Sequence, residues 1–173
     1  METIKPNKVS RFIRKELREK IFSDFNNYPF RIFRERDLHA SCYYHLRQFL
    51  FGDLSWEILN EPFLRDLKCK GKGAQPDIAL IRRGKLYFII ELKFRRKLSG
   101  IQNKDHMVLN NSVKNKKWAR KAYFIETVVE PLRETGLTGT PYRNKYIIIA
   151  MSKEKRKEFL SIYNKRRRPE PRN

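Results

Sequence analysis

Two carboxylates and one lysine lie on the two arms of a predicted β-hairpin, where they could bind a metal ion. Asp77 follows Pro76 at the start of the first arm, and Glu91 and Lys93 lie in the second. Two carboxylates on one face of a sheet repel each other, and a hard cation such as Mg²⁺, which takes oxygen ligands, relieves that repulsion. A metal ion with a nearby ammonium group suits phosphodiester hydrolysis, in which negative charge develops on the phosphoryl oxygens.

Strand periodicity places Glu91 and Lys93 on one face, because side chains two residues apart in a strand point the same way. Leu92 between them points into the core. The second arm, Lys85 to Phe94, contains five consecutive apolar residues, which predicts a central strand covered on both faces. Burying ionisable groups in such a strand is costly unless they are paired or bind a ligand. Glu91 and Lys93 are therefore candidate site residues.

The turn between the arms decides whether Asp77 joins this pair. A two-residue loop would direct the side chains of Asp77 and Glu91 to opposite faces of the hairpin. A three-residue loop over residues 82–84, with Gly84 in the left-handed conformation, brings both acids to one face. We predict the three-residue loop, and a β-bulge near Pro76 is the alternative with the same effect.

The elements that must position these residues form an α/β pattern. Hydrophobic periodicity predicts helices over 9–22, 34–51, 103–120 and 153–163, and strands over 56–64, 77–81, 85–94, 122–129 and 146–151. Turn-forming residues at 24–29 should end the first helix, and Pro62 marks the first strand as an edge or a bulge. This order predicts a mixed central sheet flanked by helices.

The first two helices carry continuous apolar stripes. In the first, the stripe consists of Val9, Phe12, Ile13, Leu17 and Ile21. In the second, it consists of Leu38, Cys42, Leu46, Phe49 and Leu50, and Gly52 provides a stop. Glu35 lies in the first turn of the second helix, three residues before Leu38, and is expected to face inward.

Two segments resemble the signature of the PD-(D/E)xK nuclease superfamily. They are Gln75-Pro-Asp77 and Ile90-Glu-Leu-Lys93-Phe. The helix that begins at Arg34 and contains Glu35 resembles the acid-bearing first core helix of that superfamily. The resemblance covers roughly residues 31–151 and implies a restriction-endonuclease-like αβββαβ core, outside which fall the N-terminal helix and the basic C-terminal tail.

The resemblance also implies a role for each site residue. Asp77 and Glu91 would be metal ligands, together with the Leu92 carbonyl. Lys93 would be the catalytic lysine, and Glu35 an auxiliary acid. We therefore expect a Mg²⁺- or Mn²⁺-dependent DNA endonuclease. The alternatives are an RNA-directed nuclease and a non-catalytic or architectural DNA-binding protein on the same fold.

The charge of the chain favours a polyanionic partner. Lys and Arg number 40 against 19 Asp and Glu, which gives a formal net charge of +21, and such self-repulsion favours a nucleic-acid ligand. We expect duplex or branched DNA, and a homodimer would allow both strands to be cut. The expected phosphate contacts are Lys70, Lys72, Arg95, Arg96, Lys97, Lys114, Lys116 and Lys117. Binding through them should weaken with salt.

Other classes of protein find little support. The sequence contains no apolar run of about 18 residues and no signal peptide, so we expect no membrane association and a cytoplasmic location, with a viral protein in a host cell as one source. Cys42 and Cys69 lack zinc-site spacing and are expected to be reduced thiols. His39, His45 and His106 are expected to be structural or solvent-facing. Glu61 is expected to be a surface residue of its strand, and the alternative is that it approaches the site from there.

The chain has the length of one domain. We predict a single nuclease domain over residues 1–173, with an N-terminal helical arm over 1–30, a catalytic core over 31–164 and a disordered basic tail over 165–173.

Overall fold

A computed structural model describes residues 3–27, 34–62, 75–95, 119–129, 146–151 and 154–157 of the chain. Its elements, in chain order, are α1 (Pro6–Arg14), α2 (Glu16–Asn27), α3 (Glu35–Phe49), β1 (Trp56–Asn60), β2 (Ile78–Arg82), β3 (Lys85–Arg95), β4 (Lys121–Val128) and β5 (Tyr146–Ala150). Residues 154–157 are also helical. Of the predicted helix over 103–120, residues 103–118 lie outside the described residues, and Ala119 and Arg120 are not helical, so the prediction is wrong for these two. The rest of the last helix and the basic tail also lie outside the described residues.

The five strands form one mixed sheet in the order β1-β2-β3-β4-β5. β1, β2 and β3 pair antiparallel, whereas β3, β4 and β5 pair parallel. The α/β class and the mixed sheet are therefore confirmed. β3 is the central strand of this sheet, as its continuous apolar sequence predicts.

The helices α1, α2 and α3 cover one face of the sheet. Their apolar stripes pack with Ile90, Leu92 and neighbouring side chains in the main core. On the other face, Ile89 packs in a smaller cluster with Phe124. β3 is thus covered on both faces at its centre, and the predicted stripe residues of the first helix, Val9, Phe12, Ile13, Leu17 and Ile21, are all buried.

The hairpin turn differs from its prediction. Arg82 pairs with Lys85, so the loop has two residues, and the predicted three-residue loop is wrong. Arg83 and Gly84 both have positive φ, 50° and 71°, as a type I′ turn requires.

A β-bulge returns the side chains of Asp77 and Glu91 to one face of the hairpin, which the two-residue loop alone would not do. Leu80 pairs with Phe88 while Ile81 pairs with Leu86, so Tyr87 is an extra residue in β3. One extra residue in one strand reverses the face to which each later side chain of that strand points. This bulge therefore has the effect expected of a bulge near Pro76, which is to bring both acids to one face, but it lies next to the turn.

The N-terminal helical segment also departs from the prediction. It begins earlier, at Pro6, is interrupted at Lys15, and continues to Asn27, so the predicted break over 24–29 is wrong for its first four residues. The polar side chains there have partners: Asn26 Nδ2 donates to the Phe22 carbonyl, and Asp24 accepts bonds from α3. These contacts override the turn preference of Asn and Asp.

β1 is shorter than predicted and ends at Asn60, because Glu61 adopts a positive φ of 43°. Within the described part of the chain, no helix is long and apolar enough to cross a membrane.

Candidate active site

Asp77 lies in a bend immediately before β2, at the end of the hairpin away from the turn. Ile78 pairs with Ile90, so Asp77 falls beside Glu91 in the register. The Leu92 N–H donates to Asp77 Oδ2 at 2.5 Å. The Asp77 carbonyl accepts the Glu61 N–H at 2.8 Å and His39 Nε2–H at 2.7 Å.

Glu91 and Lys93 share a face of β3, as predicted. Lys93 Nζ lies 3.3 Å from Glu91 Oε1, and Leu92 between them is fully buried in the main core. Glu91 is only 9% exposed. The Glu91 carboxylate is therefore largely buried in the sheet, and the Lys93 ammonium lies on its solvent side.

Glu35, from the first turn of α3, reaches the same ammonium. Its Oε1 is 3.1 Å from Lys93 Nζ, and its Oε2 accepts the Phe94 N–H at 3.4 Å. The Glu35 side chain is 47% exposed, so the prediction that it faces inward is wrong: it contacts the site from the surface. Lys93 is thus held between two carboxylates that come from different elements. The structure brings together all four predicted site residues, Glu35, Asp77, Glu91 and Lys93.

Burial and charge act in opposite directions on these groups. Desolvation raises the pKa of Asp77, although the Leu92 N–H and the charges of Lys93 and His39 partly oppose it. For Lys93, burial lowers the pKa, but the carboxylates of Glu91, Glu35 and Asp77 outweigh burial and raise it. Lys93 is therefore an ammonium at neutral pH.

The donor atoms at this end of the hairpin suit a hard cation. Asp77 and Glu91 contribute carboxylate oxygens, and in a strand the carbonyl of a residue points to the same side as its N–H, so the Leu92 carbonyl faces the strand of Asp77. Such an all-oxygen set fits Mg²⁺ better than a soft metal. Among the described residues, no group of three or more His, Cys, Asp or Glu side chains is arranged to hold a metal ion, so a bound ion would rely on main-chain oxygen and solvent for its remaining ligands.

Of the eight predicted phosphate contacts, only Arg95 lies within the described residues; Lys70, Lys72, Arg96, Lys97, Lys114, Lys116 and Lys117 lie outside them. Arg95 Nε is 3.3 Å from Glu126 Oε1, with side chains 13% and 0% exposed. A guanidinium so largely buried is an ion-pair partner in the sheet, and this placement does not match the expected surface phosphate contact.

Sequence reasoning missed His39 as a site residue. Its ring bonds to Asp77, and its Nδ1 lies 4.0 Å from Glu61 Oε1. The signal was its position four residues after Glu35 in α3, which places both on one helical face. Glu61 is exposed, as expected, but lies directly beside the site.

His45 is structural, because its Nε2 lies 2.8 Å from Asp24 Oδ2 between α3 and α2. Cys42 is a free, fully buried thiol, and its pKa is raised by burial and further by Asp77. His106 and Cys69 lie outside the described residues.

A scan against protein-family models and searches of curated proteins and of solved structures found no match. The geometry of the site therefore carries the functional argument.

Proposed function

We propose that this protein is a metal-dependent deoxyribonuclease that acts as an endonuclease on DNA phosphodiester bonds. One observation carries the proposal: the Lys93 ammonium lies between the carboxylates of Glu91 and Glu35, and the N–H of Leu92, between Glu91 and Lys93, donates to the Asp77 carboxylate. A protein that only binds DNA needs surface cations, and it gains nothing from a largely buried acid, Glu91, paired with a lysine on the central strand.

Each residue has a distinct proposed role. Asp77 and Glu91 would hold Mg²⁺ or Mn²⁺, with the Leu92 carbonyl as a further ligand. When bound, the metal ion supplies Lewis-acid polarisation of a phosphoryl oxygen and a more acidic bound water. Lys93, which remains protonated, places a positive charge where negative charge develops on the phosphate. Glu35 fixes the direction of the Lys93 side chain and anchors α3 to β3.

The composition supports a nucleic-acid substrate. A formal net charge of +21 attracts polyanions over the whole surface and accelerates their association. We propose duplex or branched DNA as the substrate, with a homodimer as the form that cuts both strands.

The test is cleavage of supercoiled plasmid in Mg²⁺ and in Mn²⁺. We expect Asp77→Asn, Glu91→Gln and Lys93→Met each to lower the cleavage rate about 100-fold or more, the loss typical for removing a group that stabilises a transition state. Matched controls are Glu57→Gln on β1 and Lys85→Met at the turn, which change exposed residues of the same types. They should retain the wild-type rate.

Other outcomes would redirect the assignment. Wild-type rates in the Asp77→Asn and Glu91→Gln variants would place the chemistry elsewhere. Salt-sensitive DNA binding without cleavage in any metal would favour the non-catalytic alternative. Preferential cleavage of RNA in a mixture with duplex and branched DNA would favour the RNA-directed enzyme.

A further inference from the structure

Asp77 is held by hydrogen bonds from three different elements. The Leu92 N–H of β3 donates to its carboxylate. The Glu61 N–H, just after β1, and the His39 ring of α3 both donate to its main-chain carbonyl. Asp77 precedes the first residue of β2, so the β2–β3 ladder, which ends at Ile78 and Ile90, does not include its backbone. Its orientation depends on these side contacts.

The contact from His39 has a defined direction. A carbonyl oxygen accepts hydrogen bonds and cannot donate them, so His39 Nε2 carries the proton at 2.7 Å from the Asp77 oxygen. The other ring nitrogen, Nδ1, then faces Glu61 Oε1 at 4.0 Å. Because the His39 side chain is only 17% exposed, water competes weakly for the ring.

The helix α3 thus contacts both strands of the hairpin at the site. Glu35 is bound to Lys93 and to the Phe94 N–H of β3, and His39, one helical turn later, is bound to Asp77 before β2. Loss of the Glu35 contact leaves the lysine paired with Glu91. Loss of the His39 contact leaves the Asp77 carbonyl with the Glu61 N–H as its hydrogen-bond donor, which loosens the orientation of Asp77 and so the direction in which its carboxylate points.

We infer that His39 is a positioning residue for the Asp77 carboxylate, acting through the Asp77 main-chain carbonyl. That this carboxylate is a metal ligand rests on the proposed function. The positioning itself is a property of the folded chain, and it can be measured without metal or DNA.

The amide of Leu92 provides the measurement, because its N–H is bonded to the Asp77 carboxylate. In hydrogen exchange followed by NMR on the metal-free protein, His39→Ala should raise the exchange rate of the Leu92 amide about 3- to 10-fold relative to other β3 amides, the effect of weakening one hydrogen bond. His39→Gln should restore protection, because the Gln amide can donate from the position of Nε2. His39→Asn should not, because its shorter side chain stops at the position of Nδ1.

His45→Ala is the matched control. His45 lies on the same helix, its side chain is 13% exposed, and it is bonded to Asp24 instead of the site. Its substitution should leave the Leu92 amide protected relative to the rest of β3. If His39→Ala fails to fold, the comparison of His39→Gln with His39→Asn gives the same answer.

Unchanged relative exchange of Leu92 in both His39→Ala and His39→Asn would overturn the inference, as would equal loss of protection throughout β3. Cleavage assays of the same variants separate it from the proposed function. A selective effect on Leu92 in a protein that never cleaves DNA would leave the inference standing and remove the nuclease. Cleavage with unchanged Leu92 exchange would do the reverse.

Discussion

At the scale of single residues, the buried carboxylate of Asp77 makes the folded protein less stable when it is ionised. Its pKa is raised because burial penalises the charged form. A carboxyl whose pKa is higher in the folded than in the unfolded chain favours folding most below its unfolded pKa, and that contribution is lost as the pH rises through the folded value. At neutral pH, the ionised Asp77 therefore opposes folding.

Replacement of Asp77 by Asn should consequently stabilise the metal-free protein at pH 7. Asn keeps an oxygen that can accept the Leu92 N–H and removes the buried charge. Each kcal/mol gained should raise the melting temperature by about 2–4 °C for a chain of this size. Thermal unfolding followed by circular dichroism gives the value.

The gain should shrink as the pH falls toward the ordinary range of an aspartic acid, because Asp77 is then protonated in the wild type as well. The exposed Glu57→Gln variant should show no such change. A destabilised Asp77→Asn variant at pH 7 would contradict the raised pKa.

Sequence patterns identified the residues of the site better than their partners. Glu91 and Lys93 could be placed on one face because strand periodicity is local. Helical periodicity places His39 on the face of Glu35, but it does not identify Asp77, 38 positions away, as the partner of the ring. The pairing of Arg95 with the buried Glu126 depends likewise on the register of two strands that only the folded sheet defines.

At the scale of elements, the hairpin turn contains a residue in a backbone conformation that its side chain disfavours. Arg83 has a φ of 50°, in the left-handed region where the conformation of a residue with a Cβ is less stable by roughly 1–2 kcal/mol. Asn tolerates this region better, and Asn-Gly is a preferred pair in type I′ turns.

Substitution of Arg83 by Asn should therefore stabilise the protein by about 0.5–1 kcal/mol. Gly84→Ala should destabilise it by about 1 kcal/mol. No atom lies within 4 Å of a Cβ built at Gly84, so that loss would come from its φ of 71° alone. Urea denaturation measures both changes.

Both turn variants should cleave DNA at the wild-type rate, because the turn lies at the opposite end of the hairpin from Asp77. Equal stability of Gly84→Ala and wild type would mean that the turn is not type I′ in solution.

The choice between a longer loop and a bulge could not be made from local sequence. Both add one residue and both bring the acids to one face, and Arg-Arg-Gly is compatible with either. The distinguishing contacts are tertiary: the ring of Tyr87, the bulge residue, packs edge-on against Trp56 of β1 and under the Arg120 guanidinium at 4.6 Å. By contrast, the positions of α3, β3, β4 and β5 followed from apolar patterning, because long apolar runs determine burial directly.

At the scale of the whole molecule, positive charge should dominate the interaction with DNA. If the proposed function holds, the Asp77→Asn variant allows DNA binding to be measured without cleavage, by fluorescence anisotropy with a labelled duplex. Each phosphate neutralised contributes about 0.9 to the slope of log affinity against log salt. A surface with six to ten such contacts would lose roughly 10³- to 10⁵-fold in affinity between about 50 and 200 mM salt.

A branched DNA and an RNA duplex measured in parallel would show whether shape adds to charge. An affinity that does not change with salt would exclude binding through phosphate contacts, whatever the net charge of the chain.

The parts of the site are separated by very different lengths of chain. Asp77 and Leu92 are 15 residues apart, whereas Glu35 and Lys93 are 58 apart, and closing the longer loop costs about 1.2 kcal/mol more in chain entropy. During folding, the contact between Asp77 and the Leu92 N–H can thus begin to form with the hairpin, before α3 has docked. We expect the four side chains to be fully assembled only when α3 docks and brings Glu35 to the Lys93 ammonium.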